Sequence, residues 1–153
     1  MNGYGRILLP TDFSRPSRRG IARGAELARS GNSKVMLLFV VEKNFFAPLS
    51  MTHQAPVTFG GEGDLLGEAV VDGGKRLKSL AEEFFGEMAV ETKVNVAASA
   101  TAGILDIAES FRPDIIVMAA HGRSGIERLL LGSTTEKVIR HAACEVLVVR
   151  EPQ

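Results

Sequence analysis

Between Ile115 and Val138 the chain reads IIVMAAHGRSGIERLLLGSTTEKV, and its most chemically capable residues gather there. Gly122, Gly125 and Gly132 lack a Cβ, so the backbone at those points can approach a ligand closely. Ser133, Thr134 and Thr135 follow at a helix start, where N–H groups and the positive dipole end attract anions. Ser133 as N-cap, with Glu136 three residues on, has the form of a capping box. Arg123 adds a cation able to make a forked contact with a phosphate. Together these residues read as a phosphate cradle. The competing reading is an ordinary strand–loop–helix unit whose glycines serve turns. No Lys-Ser or Lys-Thr pair follows the glycines, so the loop is not a P-loop, and no G-x-G-x-x-G follows a strand.

Other reactive side chains are sparse. His121 is either a proton shuttle or phosphate donor, or a loop histidine hydrogen-bonded for shape. His53, His141 and Cys144 lack metal-ligand spacing. Cys144, ahead of an apolar strand, reads as a small inert hydrophobe. No Ser/His/Asp order, paired-carboxylate site or nucleophile elbow is recognisable. Binding rather than turnover is the chemistry this inventory supports.

The elements that must position these residues alternate in type. Arg6 to Thr11 reads as a first strand, with Asp12 at its carboxyl end. Ser14 as N-cap and Pro16 in the first turn open a helix that buries Ile21, Ala25 and Ala28 and stops at Gly31-Asn32. Lys34 to Glu42 is a second strand, central because Val35 to Val41 is wholly apolar. Residues 43–63, with Pro48, Pro56, Gly60 and Gly61, read as a flexible loop or flap; lid, partner contact and disorder all fit its length. Residues 65–85 form a long amphipathic helix with Gly73-Gly74 as its weak point. Val90 to Ala97 alternates and belongs at a sheet edge. Thr101 to Phe111 is a helix with Ser99 or Thr101 as N-cap. Ile115 to Ala120 is a central strand, Ser133 to Ala142 the last helix, and Glu145 to Arg150 the last strand. Strands alternating with helices imply a parallel sheet covered on both faces.

Composition limits the alternatives. Residues 1–153 make one domain, long enough for one substantial core. Formal net charge is zero, so no global field favours nucleic acid. The arginines of the first helix are scattered, with no aromatics between them, and read as a solvated face. No apolar run approaches the roughly 20 residues of a membrane span. With one cysteine and no charged-then-apolar leader pattern, the expectation is a cytoplasmic protein.

The spacing G-x2-G-x9-G-[ST] after a fourth strand, before a last helix and a strand reading Val146-Leu147-Val148-Val149, resembles the universal stress protein family. Gly122 matches the second glycine and Gly132-Ser133 the closing pair, while Ala119 stands where the family has its first glycine. Ile7-Leu8-Leu9-Pro10-Thr11-Asp12 and Leu37-Leu38-Phe39-Val40-Val41 carry the resemblance further. It implies five parallel strands ordered 3-2-1-4-5, and ATP as the ligand. Carried onto this chain, Pro10, Thr11 and Asp12 would line the adenosine pocket and Val40 would meet adenine through its backbone. Ala119, Ala120, His121, Gly122, Arg123, Ser124 and Gly125, with Gly132, Ser133, Thr134 and Thr135, would hold ribose and phosphates. Asp12 then has two readings: contact with the nucleotide, directly or through Mg²⁺ shared with the phosphates, or a cap on the turn into the first helix. The resemblance also implies a homodimer paired through Val146–Val149. Its functional meaning is a stress-response regulator, with slow ATP hydrolysis at most. The alternative is a nucleotide-independent member acting through protein contacts.

Overall fold

The computed structural model describes residues 3–45, 62–121 and 130–152. The elements run β1 (Arg6–Pro10), α1 (Arg15–Gly31), β2 (Lys34–Glu42), a 3-10 turn (Lys43–Phe45), α2 (Glu62–Phe85), β3 (Val90–Ala97), α3 (Ala100–Phe111), β4 (Ile115–Ala119), α4 (Ser133–His141) and β5 (Glu145–Val149). All five strands are parallel in one sheet ordered β3-β2-β1-β4-β5, the order expected above. The alternating strand Val90–Ala97 lies at one edge and β5 at the other.

Strand alternation sends side chains to two layers. On one face Ile7 and Leu9 of β1 and Ile115 and Val117 of β4 pack with Ile21, Ala25 and Ala28 of α1 and Leu77 and Leu80 of α2. On the other, Leu8, Leu38, Ile116 and Met118 pack with Ile104 of α3 and Val138 of α4. The continuous apolar runs of β1 and β4 follow from burial on both faces.

Local signals decide where the helices begin. Ser14 Oγ accepts the Ser17 N–H at 3.3 Å, Pro16 sits in the first turn of α1, and Asn32 ends the helix with φ of 50°. Ser99 Oγ accepts the Ala102 N–H at 3.1 Å at the start of α3. Helix α2 begins at Glu62, slightly earlier than its apolar spacing indicates, and continues through Gly73-Gly74. That pair is not a break. A Cβ on Gly73 would stand 2.5 Å from the Phe39 ring, so the glycine is there to seat α2 against β2. Most of the expected flap, residues 46–61, lies outside the described residues.

The layering fixes one location. β1 and β4 are neighbours, yet α1 leaves β1 on one face while α4 lies on the other. The chain therefore parts at their carboxyl ends and leaves a crevice, where open α/β sheets take ligands. Among the described residues no helix is long and apolar enough to cross a membrane.

Candidate functional site

A cleft of about 540 Å³ opens at that crevice, within the range of small-molecule sites. One wall is the turn Thr11–Ser14, held by hydrogen bonds. Phe13 N–H bonds to Thr11 Oγ1 at 3.0 Å and Ser14 N–H to Asp12 Oδ1 at 2.9 Å. Ser17 Oγ donates to the Ser14 carbonyl at 2.8 Å, so in the 2.9 Å contact between the Thr11 and Ser17 hydroxyls the hydrogen comes from Thr11. The Thr11 hydroxyl is thus committed inside the fold and does not serve as a donor to a ligand. Asp12 takes part in the turn as the capping reading expected, and its residue also lines the cleft. The two readings are compatible.

The floor comes from β2. Thr11 N–H bonds to the Leu38 carbonyl at 2.8 Å, the last link between β1 and β2, and β2 continues to Glu42. In a parallel ladder the N–H and C=O of one residue point to the same side and alternate along the strand. Leu38 faces β1, so the backbone of Val40 faces the space β1 has vacated. This leaves a main-chain donor and acceptor facing the cleft.

The opposite wall is the start of α4, where the structure corrects the capping box. Gly132, not Ser133, is the N-cap; it has no side chain to cap with, and Ser133 is the first helical residue. Glu136 N–H bonds to the Gly132 carbonyl at 3.0 Å as the first link of the helix. The amides of Ser133, Thr134 and Thr135 therefore precede the helical ladder, and no hydroxyl folds back over them from the cap. Thr135 is set apart from its two neighbours. Its side chain is buried and donates to the Ala119 carbonyl at 3.0 Å, joining α4 to the end of β4 rather than offering a hydroxyl to the cleft.

Of the residues named from sequence, Pro10, Thr11, Asp12, Val40, Ala119, His121, Gly132, Ser133, Thr134 and Thr135 all border the cleft. Ala120 does not: it is buried, its N–H bonds to the Val149 carbonyl and its carbonyl accepts from Gly132. Gly122, Arg123, Ser124 and Gly125 lie outside the described residues. Sequence reasoning missed Phe39 and Glu42 of β2, Ala69 of α2, and Ala100 and Ile104 of α3. Glu42 had a signal, since it ends β2 as Asp12 follows β1. Ala69 had none; only the packing of α2 brings it there.

Ala119 pairs in register with Val149, which packs in the α1/α2 layer. Alternation places its methyl group on that same layer, away from the first turn of α4. Among the described residues no lysine or arginine lines the cleft, whereas Asp12 and Glu42 bring two carboxyl groups to it. Cys144 packs against the α3/α4 layer. Burial first, then the nearby Asp114 charge, push its thiol above the ordinary value, in keeping with an inert hydrophobe. Among the described residues no group of His, Cys, Asp and Glu could itself hold a metal ion.

The chain's likenesses agree with this architecture. The model of the universal stress protein family matches residues 3–150. Universal stress protein MJ0531 of Methanocaldococcus jannaschii is 33% identical over 156 residues, covering 99% of this chain and 85% of that protein. The solved structure of the hypothetical protein MJ0577 is similar with a TM-score of 0.82 at 26% identity, over 98% of each chain. A universal stress protein solved in complex with cAMP has a TM-score of 0.67 at 21% identity, over 99% of this chain and 100% of its own. A match across nearly its whole length, on the 3-2-1-4-5 sheet, places the chain in the universal stress protein family.

Proposed function

We propose that this protein binds an adenine nucleotide, ATP foremost, in the β1–β4 cleft and acts as a dimeric regulator of a stress response rather than as a catalyst. The observation that carries the reading is convergence. The Asp12 turn, the outward-facing Val40 backbone and the uncapped first turn of α4 are far apart in sequence and share one cleft. Val40 offers the main-chain pair that an adenine edge can use, with apolar Ala100 and Ile104 nearby for the base. The amides of Ser133, Thr134 and Thr135 offer N–H groups and a dipole end to phosphates. The neighbour solved with cAMP lends support to an adenine nucleotide as the ligand class.

The charge balance bears on Mg²⁺. Two carboxyl groups in a cleft without a described cation would repel a polyphosphate, and a divalent ion removes that repulsion. Mg²⁺ commonly takes one or two carboxylates with phosphate oxygens and water, a donor set that Asp12 fits. When bound it supplies charge neutralisation and orientation; Asp12 would hold it. Arg123, two residues after the cleft-lining His121 in sequence, is a further candidate for the phosphates.

Isothermal calorimetry with ATP, ADP, AMP and cAMP, each with and without Mg²⁺, tests this. Saturable heat with ATP at submillimolar concentration, strengthened by Mg²⁺, is expected. Absence of heat from folded protein at millimolar ligand would overturn the reading.

A further inference from the structure

Arg76 lies on α2, remote in sequence from the cleft residues, yet its guanidinium carbon stands 4.0 Å from the centroid of the Phe13 ring. Phe13 follows Asp12 directly and has φ of 63°, a left-handed conformation that bulky residues avoid. Such a conformation persists only where its surroundings hold it. Three contacts do so. The Phe13 N–H bonds to Thr11 Oγ1, its ring meets the Phe39 ring with centroids 4.6 Å apart at 49°, and the Arg76 guanidinium covers it. Asp72, one helical turn before Arg76, stands 3.9 Å from the guanidinium and helps to direct it.

Helix α2 reaches this assembly at successive turns of one face. Ala69 borders the cleft, Gly73 seats against Phe39, and Arg76 rests on Phe13. Asp12 depends on the result. Its carboxylate is held by the N–H of Ser14, two residues on, with Phe13 between them. Were Phe13 to relax to negative φ, the Ser14 amide would turn away and the carboxylate would lose that bond.

We propose that Arg76 is a positioning residue of the nucleotide site, stacking on Phe13 to keep the Asp12 turn in its left-handed form. This rests on the nucleotide reading of the cleft, and within it on Asp12 serving Mg²⁺ rather than the adenosine pocket, and adds that α2 governs the end of the site used by the metal and phosphates. A structural role alone would weaken every ligand alike. Positioning of Asp12 weakens MgATP and spares adenosine.

The test is calorimetric titration of the full chain with MgATP and, separately, with adenosine, for wild type, Arg76→Met, Arg76→Lys and Phe13→Leu. Arg76 is half exposed, so its replacement leaves the core intact. For MgATP, Arg76→Met and Phe13→Leu should each raise Kd about two- to fivefold, the worth of an exposed cation–π contact. Adenosine affinity should stay unchanged, and Arg76→Lys, which keeps a cation over the ring, should resemble wild type. Equal weakening of both ligands, an unchanged MgATP affinity, or a lysine variant as weak as the methionine one would each overturn the proposal. A wild type that binds neither ligand sinks the nucleotide reading itself.

Discussion

Ser133 and Thr135 have similar side chains two residues apart and opposite duties. Ser133 is exposed and caps nothing, whereas Thr135 is buried and ties α4 to the Ala119 carbonyl. Thr135→Val keeps the shape but strands that carbonyl, at a cost of about 1–3 kcal/mol. Ser133→Ala should change stability by less than about 0.5 kcal/mol, as for other surface changes. Urea denaturation of both variants checks the pair. A loss of about 1 kcal/mol at Ser133 would restore it as the N-cap and remove the reason for its uncommitted neighbouring amides. Nothing in the order of residues separates the two. Hydroxyl side chains at a helix start look alike until the packing of α4 on β4 shows which one faces inward.

Element by element, the apolar spacing was the most legible feature. The second and third strands have the bounds that their patterns indicate, because a run of buried or alternating side chains is set by which faces the sheet covers. Helix α2 shows where spacing stops being informative. Two adjacent glycines look like one weakness, yet a Cβ on Gly73 would collide with Phe39 while one on Gly74 would meet nothing within 4 Å. Gly74→Ala should therefore stabilise by about 0.5–1 kcal/mol through helix propensity. Gly73→Ala should destabilise by about 1–3 kcal/mol through overpacking. Thermal melts of the two single variants, expected to shift in opposite directions, decide it. Shifts of the same sign would mean that α2 is not seated on β2 as described.

At the scale of the whole molecule, β5 is an edge strand, open among the described residues, whose apolar residues Val146 to Val149 are only half-buried. Bare apolar edges invite pairing, and a two-fold copy of the same strand is the simplest cover. The Val149 carbonyl accepts from Ala120 and so faces β4; by alternation the N–H groups of Val146 and Val148 point outward. Val148→Pro removes an outward donor without touching the β4 ladder. If β5 is the dimer seam, light scattering at micromolar concentration should give a dimer for wild type and a monomer for the variant, with circular dichroism unchanged. A wild-type monomer would discard the seam.

From sequence alone came the class of fold, the order of its elements and the bounds of the second and third strands, because periodicity and turn chemistry are local and report burial directly. The first, fourth and fifth strands each end one residue earlier than their patterns indicate. The family motif added the strand order and the cleft. Tertiary structure alone decided how the members of the motif are disposed about the cleft. Thr11 and Thr135 turned their hydroxyls into the fold, Ala120 was buried, and Gly132 replaced Ser133 as the cap. It also brought Ala69, Gly73 and Arg76 of α2 to the cleft and its aromatic support. These outcomes depend on how separate layers meet in space, and contacts between distant elements leave no periodic trace in the chain.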